Sequence, residues 1–220
     1  MGANGAVPLK KLILVPSIIT LVVTVLRLVG ELSSWSPTLF SREAGGAGAI
    51  VGIVWLVPVF GIYFALKLAA AGQRPSRPGP AIGYSVLGFA LVPAAGFLAV
   101  KLGVSQQSFT AFTVFVVFSV LGAAVASRGW PDLARTLLAY GLAARIPVAI
   151  VMLFAILGSW GTHYDALPPG FPAMSPIATW LLIGLLPQLT IWIWFTIAVG
   201  GIFGSLAMAL SGRGRRPAAA

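Results

Sequence analysis

Six runs of about 20 apolar residues, separated by short segments, leave this chain few ways to fold. They cover residues 12–30, 48–70, 81–100, 109–126, 137–157 and 177–210. A hydrocarbon layer about 30 Å thick is crossed by about 20 helical residues. Lipid offers no partner to backbone N–H and C=O groups, so a spanning segment is a helix or part of a closed barrel. Barrel strands alternate in polarity at every second residue, and 114–117 and 146–157 show no alternation. The chain therefore reads as one all-α, polytopic transmembrane bundle of about six helices over residues 1–220.

Composition supports this reading. Only 8% of residues are charged, against about 25% in an average soluble domain, and the mean hydropathy is +1.00. Too few charges remain to cover a water-facing surface. The net charge of +10 would suggest nucleic acid in a soluble protein. Here the cations sit between greasy runs, where they orient the chain, and no nucleic-acid partner is expected. Cysteine is absent, and one histidine and four acids leave little from which to build a metal or hydrolytic centre. No metal and no cofactor are expected.

The first run follows Lys10 and Lys11 and superficially resembles a signal peptide. Its length, and Pro37 directly after the small-residue pair Ser34 and Ser36, argue for an uncleaved span. With the N-terminus inside, Lys10, Lys11, Lys67, Arg74, Arg77, Arg128, Arg135, Arg213, Arg215 and Arg216 face the cytoplasm, and only Arg42 and Lys101 fall in outer loops. Positive residues stay behind on the cytoplasmic side, so both termini are expected inside and anionic lipid headgroups there are the expected partners. The expected location is a bacterial cytoplasmic membrane.

The last run, 34 residues long, exceeds the hydrocarbon thickness. A break at Pro187 would leave 177–186 interfacial or re-entrant and 189–210 as the crossing, with Trp192 and Trp194 near the outer interface.

Several residues stand out against this background. Arg145 lies mid-span, two residues before Pro147. A charge at the bilayer centre costs at least about 2.5 kcal/mol, and such residues usually face the bundle interior. Pro147 frees a backbone carbonyl one turn back, so the guanidinium could bind carbonyls or a bound anion; the alternative is a structural arginine. Pro58 and Pro93 recur at comparable depth, as in transporters that break helices to expose backbone. Arg27 and Glu31, four residues apart, are expected to pair at the exposed outer end of the first helix. The outer loop Ser159–Asp165 gathers Trp160, His163, Tyr164 and Asp165. His163 with Asp165 could relay a proton, and otherwise the loop is an aromatic interfacial cap. Gly48 with Gly52, and Gly200 with Gly204, are spaced for close helix packing. The same faces would serve a homo-oligomer or a partner in a membrane complex.

Three functions are compatible with these residues. A small transporter or binder of lipid or another amphiphile would use a cavity near Arg145, Pro58 and Pro93. An accessory subunit would use the glycine faces alone. An enzyme acting on lipid would need His163 and Asp165 together beside a pocket; with so few titratable groups, a non-enzyme is expected.

Overall fold

The computed structural model describes residues 8–46, 48–106 and 108–213. Arg215 and Arg216 of the expected basic tail lie outside them. Five helices, α1 (Leu9–Leu32), α2 (Leu56–Ala70), α3 (Pro78–Lys101), α4 (Phe109–Ser127) and α5 (Pro131–Gly158), are followed by a near-continuous helical rod. The rod runs through α6 (Pro176–Thr179), a π-helical turn (Trp180–Leu185), α7 (Leu186–Leu189) and α8 (Ile191–Arg213). Among the described residues there are no strands. Five helical stretches are long and apolar enough to cross a membrane, and α2 is a shorter apolar one. The protein is an all-helical membrane bundle of about six helices.

α8 is the hub and packs against α2, α3, α4 and α5, while α1 lies outside and packs mainly on α5. The α2–α8 approach depends on missing side chains. A Cβ on Gly61 would stand 2.5 Å from the Gly200 carbonyl oxygen, and one on Gly204 would stand 2.7 Å from that of Gly61. α3 and α4 meet in the same way through Gly88 and Gly122. With lipid as solvent, such dense backbone contact supplies the dispersion energy that holds helices together.

Two departures from the expected spans shape the molecule. The second run is helical only from Leu56, and 48–55 is irregular chain. Gly48 has a left-handed φ of +79°, and Ile50 and Val51 donate their N–H groups to the Thr38 and Leu39 carbonyls. Gly48 and Gly52 are therefore not helix-packing residues. Fifteen helical residues span about 22 Å, short of the full layer. Irregular backbone at such depth is tolerated only where it lines a cavity or is buried in protein.

The second departure is in the last run. Residues 177–186 are helical, pack against α5 and run on with the following residues as one apolar rod over Pro176–Ser211. The chain absorbs Pro187 by widening to a π turn just before it, since the ring lacks an N–H and crowds the carbonyl four residues back. The break comes at Thr190, with φ −121° and ψ −70°. Trp194 is buried and donates its indole N–H to the Gly88 carbonyl at 2.8 Å, so it faces the bundle interior, while the half-buried Trp192 lies under the Arg145 guanidinium.

Candidate functional site

α1 inverts the usual amphipathic rule. Leu14, Val15, Ile18, Val22, Val25 and Val29 are exposed, whereas Pro16, Thr20, Thr24, Arg27 and Glu31 are buried against α5 and the loops. Spacings of three and four residues put the buried set on one helix face. The stripe reaches the rest of the molecule through hydrogen bonds. Thr20 Oγ1 and Tyr140 Oη lie 2.8 Å apart, and Tyr164 Oη donates to the Thr24 carbonyl at 3.2 Å.

At its end the stripe forms a closed ionic cluster. Arg27 Nε donates to Glu31 Oε1 at 2.8 Å, and Arg27 Nη2 donates to the carbonyls of Ser41 and Gly46 at 3.0 and 3.2 Å. Arg42 donates to the Glu31 carbonyl oxygen. Glu31, fully buried, also accepts from the His163 backbone N–H at 2.8 Å and from His163 Nδ1 at 2.5 Å. The expected exposed end-pair is instead a buried pin that ties the first and third loops of this end to α1. Gly46, left-handed at φ +75°, lies close enough for a Cβ to meet His163 Cδ2 at 3.0 Å. A side chain there would displace the ring.

Every partner of the Glu31 side chain is a donor, which fits an ionised carboxylate and puts the Nδ1 proton on His163. Burial pushes the His163 imidazole below its ordinary value; the Glu31 hydrogen bond opposes this and the Arg27 charge adds to it. Burial, reinforced by the Glu31 charge, raises the Tyr164 phenol and keeps it a donor.

Beside this cluster opens a cavity of about 540 Å³. Val23, Thr24 and Arg27 of α1, Ile53 and Val54 of the irregular segment, and Phe109 and Phe112 of α4 form one part of its wall. Arg145, Val148 and Met152 of α5, His163 and Tyr164, and Leu182, Ile183, Gln188 and Trp192 form another, and the loop around Pro168–Met174 a third. Connectivity puts it at the bundle end that carries the loops after α1, α3 and α5. Its volume lies in the range of small-molecule sites, which are mostly apolar with a few placed polar groups.

Arg145 is the unusual member. Its residue is 4% exposed, and its guanidinium carbon stands 4.2 Å from the centroid of the Trp192 ring. Among the described residues it makes no hydrogen bond and no salt bridge. The indole face offsets part of its buried charge by about 0.5–2 kcal/mol, while its donors stay unused. Gln188 Oε1, also on the wall side, is buried without a partner.

The sequence-derived candidates divide accordingly. Arg145, His163 and Tyr164 meet at the cavity. Asp165 does not: its carboxylate accepts from the N–H groups of Gly161 and Thr162 and from the Thr162 hydroxyl at 2.7–2.8 Å, closing its own turn. The expected His163–Asp165 relay is replaced by His163–Glu31. Trp160 is 38% exposed beside Gly158 and off the cavity. Pro58 sits in the first turn of α2, where a missing N–H breaks no bond, so it kinks nothing. Pro93 is exposed on α3, and neither it nor Pro58 nor Pro147 lines the cavity. Among the described residues no three His, Asp or Glu side chains group to hold a metal.

No family model, curated protein or solved structure matches the chain.

Proposed function

We propose that the protein binds an amphiphile with an anionic headgroup, as a small transporter or carrier within the membrane. The headgroup docks on Arg145 and the tail occupies the apolar part of the cavity. The observation that carries this reading is the Arg145 guanidinium on the cavity wall. It is buried, stacked on Trp192 and unpaired among the described residues. A buried arginine with open donors in an apolar chamber favours a carboxylate, sulfonate or phosphate, which it can grip through two parallel N–H groups. Exposed apolar side chains on the wall, Val54 and Phe109, favour access from the lipid rather than from water.

In the proposed orientation Lys10, Lys11, Lys67, Arg74, Arg77, Arg128 and Arg135 face the cytoplasm and anionic headgroups. The cavity then belongs to the outer half of a bacterial cytoplasmic membrane.

Native mass spectrometry tests the binding after reconstitution in equal amounts of phosphatidylglycerol and phosphatidylcholine. Retention of phosphatidylglycerol by the wild type, and its loss in a folded Arg145→Leu variant, is the expected result. Equal retention of both lipids by the wild type would contradict the reading.

A further inference from the structure

His163 borders the same cavity, and its two ring nitrogens are in different situations. Nδ1 is committed to Glu31 at 2.5 Å. Nε2 has no hydrogen-bond partner among the described residues and is not among the sealed-off polar atoms, and the His163 side chain lies on the cavity wall. Any change in ring protonation therefore occurs at Nε2.

We propose that binding of an anion in the cavity takes up a proton at His163 Nε2, so that ligand and proton bind together. This inference rests on the anionic-ligand reading and adds a second, coupled site to it. The charges around the ring are Arg27 and Glu31 from α1, Arg42 on the Glu31 carbonyl, Tyr164 and Asp165 from its own loop, and Arg145 from α5 on the cavity wall. Arg27 is matched by Glu31, while Arg145 has no matching anion among the described residues.

In the empty cavity, burial and the Arg27 charge both disfavour an imidazolium. An anion seated on Arg145 brings a negative charge into the cavity that His163 also lines, and so attracts the imidazolium. In a low-dielectric chamber this attraction reaches farther than in water. Thermodynamic reciprocity then requires acid to strengthen anion binding by the same factor that the anion strengthens proton binding. The geometry is that of a proton-coupled anion site, with Glu31 holding the imidazole in one tautomer.

Calorimetric titration of the intact protein with hexadecylsulfonate, whose headgroup stays ionised, tests the coupling. It is run in phosphatidylcholine nanodiscs between about pH 5.5 and about pH 8, in two buffers of different ionisation enthalpy. Wild type should bind more tightly on acidification, by up to about tenfold per pH unit, with net proton uptake. His163→Asn keeps an N–H for Glu31 but lacks the second nitrogen, and its affinity should be independent of pH. Arg145-dependent binding without uptake, or an unchanged pH slope in His163→Asn, would overturn the coupling and leave the anion site standing. No binding by the wild type at any pH would overturn both. If His163→Asn fails to fold, the buffer dependence of the wild-type heat decides alone.

Discussion

Arg27 and Arg145 are both buried guanidinium groups, but their surroundings set opposite expectations for replacement. Arg27 shares a carboxylate with His163 and holds two loop carbonyls. Glu31→Ala would leave that cation buried without its counter-ion, a loss of about 3–5 kcal/mol, read as a lowered midpoint in denaturant titration of the detergent-solubilised protein. Arg145→Leu removes a charge with no protein partner among the described residues, so thermal stability should hold or rise while anion binding is lost. The pH dependence follows from His163. Its folded value is depressed, so below about pH 6.5 the unfolded chain binds more protons than the folded one. Stability is complete above about pH 6.5 and is lost as pH falls through the depressed folded value. Melting temperatures across that window should decline on acidification in the wild type and flatten in His163→Asn.

At the scale of the helices, two classes of glycine should behave differently. Gly61 faces the Gly200 backbone, which cannot rotate aside as a side chain can. Gly61→Ala should force α2 and α8 apart and cost about 1–3 kcal/mol. Gly83 and Gly96, in α3 with nothing near their missing Cβ, should accept alanine with no loss or a gain of up to about 1 kcal/mol. Denaturant midpoints of the single variants check both. The spans themselves were legible because roughly 20-residue apolar runs have one solution in lipid. What escaped was the depth of α1's polar face. Thr20, Thr24, Arg27 and Glu31 recur at spacings of three and four, a signal that can be read in one sequence, but Arg27 and Glu31 alone suggest an exposed helix end. Likewise the two tryptophans fit an interfacial belt by composition. Only the three-dimensional path of the rod turns Trp192 toward Arg145 and Trp194 toward Gly88. His163 was visible, but its partner is 132 residues away, and sequence spacing pointed to the near acid, Asp165.

For the whole molecule, the irregular 48–55 segment, the loop after α5 and the π-containing rod meet at one end of the bundle and leave a chamber between them. At the other end Trp130 donates its indole N–H to the Gln73 carbonyl at 3.2 Å, tying the start of α5 to the loop after α2. The proposed topology puts the chamber outside. Because the chain has no cysteine, single cysteines can report it in intact cells. An impermeant thiol reagent should label positions 101 and 165 and spare 74 and 128; the reverse pattern would invert the orientation.

The chamber's selectivity for charge is the most direct measurement of what it does. Two probes with the same hexadecyl tail, one ending in sulfonate and one in trimethylammonium, are titrated into wild type and Arg145→Leu in phosphatidylcholine nanodiscs. Preference for the sulfonate in the wild type, abolished in Arg145→Leu while the tail still binds weakly, is the expected outcome. Equal affinity for both probes, or a sulfonate preference that survives loss of Arg145, would contradict an anion site at this arginine.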